Sequence, residues 1–178
     1  MRLFVAIELA PWLQKKIISS TYGLKKVAVG KWVEQDNLHL TLAFIGEVKD
    51  GAVPVLIREL TETVKNIPPM NLVIDDLIGI PSQSPRMLAI SIRAPVDYLQ
   101  LQKSIIRNLN KLGLSALSRQ PHLTLVRLKK PLSRLPAIRP LALKFQVRQI
   151  SLVHSVLTPK GPIYRRLKAL NLASGGSK

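Results

Sequence analysis

The sequence predicts an α+β fold: a bilobal protein built as a pseudo-twofold duplicate of one strand-helix-strand unit. Two observations predict it. The tetrapeptide His39-Leu40-Thr41-Leu42 returns unchanged as His122-Leu123-Thr124-Leu125, 83 positions later. The same shift carries Leu3, which opens a short apolar run, onto Arg86, where a second such run begins. Strand, helix and histidine strand thus recur in one order at nearly one spacing, as expected of a duplicated unit whose copies share a core. No linker rich in Gly, Ser or charge separates them. Residues 1–178 are therefore expected to form a single bilobal domain, with halves of about 1–85 and 86–172 and a flexible tail at 173–178.

Leu3 to Leu9 is short and apolar, as in a strand covered on both faces. Pro11 to about Val27 reads as a helix with proline in its first turn. Asn37 to Ile45 reads as a strand closed by Gly46. Val53, Leu56, Ile57, Leu60, Val64 and Ile67 recur at helical spacing and stop at Pro68-Pro69. Strands are expected over Asn71 to Ile80 and Met87 to Ala94, joined by a polar loop. Asp97 is placed to cap a helix whose stripe is Tyr98, Leu101, Ile105, Leu109 and Leu112, ended by Gly113. His122 to Leu128 is a further strand, Pro131 to Pro140 a loop, and Leu143 to Leu157 one long strand or two.

Hydrophobic residues make up 47% of the chain, which excludes a disordered, low-complexity protein. The absence of cysteine removes disulfides, thiolate metal sites and a cysteine nucleophile, and with them any sign of an oxidising compartment. The first residues do not read as a signal peptide, no apolar run reaches membrane-spanning length, and a cytoplasmic monomer is expected. The formal charge is +17, and it is one-sided: residues 1–89 hold 10 Lys or Arg against 9 Asp or Glu, whereas residues 90–178 hold 17 against 1. Surface charge is ordinarily a solvated face. An excess this lopsided instead suits the capture of a polyanion such as nucleic acid.

The chemistry resides in the repeated tetrapeptide. At strand periodicity His39 and Thr41 point to one face while Leu40 and Leu42 enter the core, and the second copy repeats this. Pseudo-symmetry can bring both imidazole-hydroxyl pairs to one cleft. Cleaving a phosphodiester needs such a pair, because a neutral imidazole takes a proton from water while an imidazolium supplies one to the departing sugar oxygen. Thr41 and Thr124 are the natural donors to the phosphate oxygens. A lone strand histidine is ordinarily structural, and His154, which lacks the following Thr-Leu, is read that way. Symmetry leaves open which histidine is acid and which is base.

These residues resemble the two-histidine phosphoesterase superfamily, and within it the RNA 2′,3′-cyclic phosphodiesterases also known as 2′-5′ RNA ligases. Beyond the paired motifs, the likeness runs through Arg2-Leu3-Phe4-Val5-Ala6-Ile7, Trp32-Val33, Asn37-Leu38, Ala43-Phe44-Ile45-Gly46, Pro121, Val126-Arg127 and Gly161-Pro162-Ile163-Tyr164. It implies two antiparallel sheets enclosing a cleft, with helices outside. It also implies metal-independent hydrolysis of RNA 2′,3′-cyclic phosphate ends, or of cyclic nucleotides, to 2′-phosphates. Carried over, His39 is the proton donor to the 3′ oxygen, His122 the proton acceptor that activates water, and Arg127 the phosphate-holding cation. Strict alternation puts Arg127 on the face opposite His122, so either the strand bulges or ends there, or the side chain reaches round its edge.

Phe44 stands where the first repeat would carry the counterpart of Arg127. Phe4, Phe44 and Tyr164 are candidates to stack on a base, against the ordinary reading of strand aromatics as core. Arg86, Arg119, Lys129, Lys130, Arg165, Arg166 and Lys168 are expected to form a basic field that positions RNA through its phosphates. The carboxylates form no ligand-spaced cluster with histidine and no Walker-type loop occurs, so neither metal nor other cofactor is expected. Two alternatives share the site: joining of RNA ends through a 2′-5′ bond, and a basic RNA-binding module without turnover.

Overall fold

A computed structural model describes residues 1–118, 120–138, 141–159 and 161–173. Arg119 of the expected basic field, Pro140 at the end of the expected loop, and residues 174–178 of the expected tail lie outside the described residues. The strands are β1 (Arg2–Glu8), β2 (Gly30–Trp32), β3 (His39–Glu47), β4 (Met70–Ile80), β5 (Met87–Arg93), β6 (His122–Leu128), β7 (Leu143–Val147), β8 (Gln149–Thr158) and β9 (Gly161–Asn171). The helices are α1 (Pro11–Thr21), α2 (Val53–Val64) and α3 (Val96–Lys111).

The fold is α+β, and its strands are antiparallel in the order β7-β4-β5-β6-β3-β1-β8-β9, with β2 on β6. The two histidine strands are central neighbours, joined in register through Leu40 and Leu123. On either side of that seam stand four strands, so β3-β1-β8-β9 answers to β6-β5-β4-β7. Each group takes strands from both halves of the chain: β8 and β9 pair beside β1, and β4 pairs beside β5.

Why β1 is apolar from Leu3 to Ile7 follows from its place between β3 and β8. Leu3, Val5 and Ile7 enter the main core, while Phe4 and Ala6 form a second small cluster with Val153 and Tyr164 on the other face. The main core is completed by Leu13 and Ile17 from α1 and, at the predicted spacing, by Leu56, Leu60 and Val64 from α2 and Tyr98, Leu101, Ile105 and Leu109 from α3, whereas Leu112 of the predicted α3 stripe lies just past the helix end and is exposed. Each such buried side chain contributes about 1.5–3 kcal/mol. No helix among the described residues is long and apolar enough to cross a membrane.

Three local expectations change, and one left open is resolved. Helix α1 stops at Thr21 rather than near Val27, and a 3-10 turn takes over at Tyr22–Lys26. Its last turn holds Ser19 and Thr21, whose hydroxyls donate back to the carbonyls of Lys16 (3.0 Å) and Ile17 (2.8 Å), and Gly23 follows. Such residues compete with a continuing helix. Asp97 does not cap α3. The helix begins two residues earlier than such a cap implies, at Val96 with extended Pro95 flanking it, which leaves Asp97 in the first turn, where a carboxylate favours the helix dipole. The segment after Leu143 is two strands divided at Arg148, and β2 and β9 are strands that periodicity did not reveal.

Candidate active site

Both histidines enter their strands in the same way. His39 Nδ1 lies 2.7 Å from the Asn37 carbonyl oxygen, and His122 Nδ1 lies 2.7 Å from that of Gln120. A carbonyl only accepts, so each Nδ1 carries the proton and donates it. The ring nitrogen left free of the backbone is then Nε2 in both histidines. The short helical turn Gln35–Asn37 sets the Asn37 carbonyl in place, and Asn37 Nδ2 also donates to the Pro162 carbonyl at 3.3 Å, tying the start of β9 to this entrance.

Antiparallel register through Leu40 and Leu123 sets His39 across from Thr124 and Thr41 across from His122. Leu40, Leu42, Leu123 and Leu125 are buried, whereas the two histidines and two threonines are half-buried on the opposite face. One face at the seam therefore gathers two imidazoles and two hydroxyls. The Thr124 hydroxyl rests against Met87 Sδ at 3.4 Å.

Alternation then fails at the same place in both strands. In the β1-β3 ladder Val5 pairs with Ala43 and Ala6 with Thr41, which leaves Leu42 as an extra residue. In the β5-β6 ladder Leu88 pairs with Val126 and Ala89 with Thr124, which leaves Leu125 extra. Two consecutive side chains thus enter the core in each strand, Leu42 with Ala43 and Leu125 with Val126, and the pattern resumes one residue out of step. Phe44 and Arg127 are returned to the histidine face. The bulge is what reconciles Arg127 with His122. Strand β2 fixes this end of β6: Gly30 lies so close that a Cβ would collide with the Arg127 carbonyl.

Aromatic rings wall the site. Phe4 lies 4.9 Å from His39 between ring centroids, Tyr164 lies 5.2 Å from His39 edge-on, and Phe4 and Tyr164 meet at 5.1 Å. Phe4 is buried, so it shapes the imidazole's surroundings and offers no open stacking face. Phe44 is exposed, but the Arg2 guanidinium sits over its ring at 5.1 Å. A cation is thereby supplied from β1 at the position where the first repeat lacks its own arginine.

Burial holds the His39 imidazole below the usual 6.5, and the nearby His122 adds to this; the Asn37 hydrogen bond and the Glu8 carboxylate pull the other way. The charge of His122 therefore lies within electrostatic reach of the His39 ring. Tyr164 is pushed up by burial, opposed by Arg127 and Arg2. Tyr164, Arg127 and Arg2 therefore surround one end of the histidine face. At the other end stands Glu8, the partner of His39 in the β1-β3 ladder, paired with Arg166 at 3.4 Å.

Sequence reasoning did not single out Arg2, Glu8, or the carbonyls of Asn37 and Gln120. Alternation outward from Phe4 was the signal that could have found the first two, since it puts Arg2 and Glu8 on the histidine face. His154 pairs with Leu3 in the β1-β8 ladder and is not gathered with the other histidines. Of the expected basic field, Arg166 reaches the site rim, while Arg165 alternates to the other face of β9. Among the described residues no three His, Asp or Glu side chains gather as metal ligands do.

Residues 22–158 match the model of the 2′-5′ RNA ligase superfamily. The chain belongs to this superfamily. It is 31% identical over 178 residues to the RNA 2′,3′-cyclic phosphodiesterase of Archaeoglobus fulgidus, covering 94% of this chain and 98% of the relative. The protein of the same description from Methanocaldococcus jannaschii is 30% identical over 177 residues, covering 94% and 99%. Among solved structures, TT0787 of Thermus thermophilus superposes with a TM-score of 0.86 at 25% identity, covering 98% of this chain and all of that one. Escherichia coli LigT complexed with phosphate superposes with a TM-score of 0.81 at 26% identity, covering 97% and 98%. Superfamily membership and the antiparallel α+β architecture agree with what the paired motifs imply.

Proposed function

We propose that the chain is an RNA 2′,3′-cyclic phosphodiesterase, which opens the cyclic phosphate at an RNA 3′ end to a 2′-phosphate without metal. The observation that carries this reading is the matched pair of imidazoles. Each commits Nδ1–H to a backbone carbonyl and leaves Nε2 to act from one face of the seam. The names of the relatives at about 30% identity support the substrate class.

In the proposed reaction His122 Nε2 takes a proton from water, and the water oxygen bonds to phosphorus. The bond from phosphorus to the 3′ oxygen breaks, and His39 Nε2–H protonates that oxygen, leaving the phosphate on the 2′ oxygen. Thr41 and Thr124, facing each other's histidine across the seam, and Arg127, brought round by the bulge, supply donors to the non-bridging oxygens. Acid-base pairs of this kind contribute on the order of 10²–10⁴-fold per group. We assign the whole reaction to one bilobal chain.

The test is release of 2′-phosphate from a 2′,3′-cyclic nucleotide or RNA end in the presence of EDTA. Turnover there is expected. Full activity in both His39→Ala and His122→Ala would sink the reading, and a product joined to a 5′-hydroxyl RNA would reassign the site to ligation.

A further inference from the structure

A cavity of about 570 Å³ opens beside the site without including either histidine. It adjoins the site through Glu8, which pairs with His39 in the β1-β3 ladder and also lines the cavity. From there the lining passes to Arg166 on β9, Lys144 on β7, Arg148 at the β7-β8 junction and Trp12 on the first turn of α1. Lys144 and Arg148 are exposed cations that make no ion pair among the described residues, and Arg166 is held by Glu8 at 3.4 Å. Trp12 is 59% exposed, an unusual place for a large ring that no core demands.

We propose that this cavity is a subsite for the RNA chain on the 5′ side of the cyclic end, with Trp12 stacking a base and Arg148, Lys144 and Arg166 meeting a phosphate. An exposed ring beside several cations is the combination that holds single-stranded RNA without reading its sequence. The placement fits the polarity of the substrate. A terminal cyclic phosphate leaves the chain only one direction in which to continue, and at ~3.3 Å per strand residue Glu8 lies roughly 13 Å along β1 from Phe4. The opposite end of the histidine face is occupied by Arg2, Phe44, Tyr164 and Arg127, which leaves the Glu8 end for the departing chain.

The inference deepens the proposed activity and rests on it for the polarity of the RNA. Its test compares a cyclic mononucleotide with a short oligoribonucleotide bearing the same cyclic 3′ end. In Trp12→Ala and Arg148→Gln, kcat/KM for the oligonucleotide is expected to fall on the order of tenfold, the scale of one lost base stack, with the mononucleotide unchanged. Trp12→Phe should restore most of the loss. Equal losses on both substrates, or none on either, would overturn the subsite.

A binding arm separates this from failure of the activity itself. Fluorescence anisotropy of a labelled oligoribonucleotide ending in a 2′-phosphate is measured in competition with the corresponding mononucleotide. If the wild-type chain turns over neither cyclic substrate, the proposed activity fails. Weaker oligonucleotide binding in the two variants still upholds the subsite in that case, and unchanged binding overturns it.

Discussion

Leu40 of β3 pairs with Leu123 of β6, and this contact at the centre of the sheet sets His39 and His122 diagonally across one seam. Both leucines are fully buried, so their packing and the position of the catalytic candidates are one structural fact. Leu40→Ala or Leu123→Ala should each cost about 2–5 kcal/mol of unfolding free energy. Because the side chains are neighbours, the double variant should depart from additivity. Urea titration of the four proteins measures this, and strict additivity would mean that the seam does not couple the two strands.

His39→Ala and His122→Ala are expected to lower kcat by about 10²–10⁴-fold each. The double variant should lose little more than the worse single one, because an acid without its base cannot complete the cycle. Circular dichroism and the urea midpoint check that the fold is kept, since each ring is only half-buried. Multiplicative losses would argue that the two groups act in separate steps.

The depressed proton affinity of His39 predicts a specific pH profile. If His39 is the acid, kcat/KM, which reports the free enzyme, falls as pH rises through a value below 6.5, and this limb vanishes in a His39 variant. The bound phosphate's negative charge should move the same limb upward in kcat. Glu8→Gln removes a carboxylate that raises the His39 proton affinity, so it should move the free-enzyme limb further down. A limb on the acidic side instead, with activity rising as His39 loses its proton, would exchange the two roles.

The same shift has a stability consequence. A histidine held below 6.5 binds fewer protons folded than unfolded, so its contribution is fully present above 6.5 and is lost as pH falls from 6.5 through the lower folded value. The wild-type urea midpoint should decline over that window. In His39→Gln the part of the decline due to this group should disappear, and an unchanged decline would trace it to other groups.

Much of this arrangement is legible in the sequence, and the parts that are not share a cause. Strands β1 and β5 were readable as short apolar runs, the openings of β3 and β6 by the alternation of the repeated His-Leu-Thr-Leu, and helices α2 and α3 by apolar stripes at helical spacing. The bulges were hidden because Leu42-Ala43 and Leu125-Val126 are adjacent apolar pairs, which a period of two reads as noise. The recurrence of that pair at the same place in both repeats was the available signal. Strand β9 was hidden because Arg165, Arg166 and Lys168 interrupt its apolar pattern, as suits a strand at the edge of the sheet. The electrostatic partners of His39 were hidden for another reason: Glu8 lies 31 positions away and only strand pairing brings it close.

Arg127 offers the sharpest separation of a local role from a structural one. Arg127→Ala removes a charged donor from the histidine face, and kcat/KM should fall by about tenfold to a hundredfold, the range of one charge-assisted hydrogen bond. Arg127→Lys should recover part of it, since a lysine keeps the charge but not the planar fork. The second readout does not depend on turnover. Arg127 holds down a Tyr164 hydroxyl that burial pushes up, so Arg127→Ala should raise the pH at which Tyr164 ionises, read as the difference from Tyr164→Phe in an ultraviolet titration. Lost activity with an unmoved Tyr164 would place the Arg127 side chain away from the histidine face. The bulge at Leu125 would then shape the strand without delivering the cation.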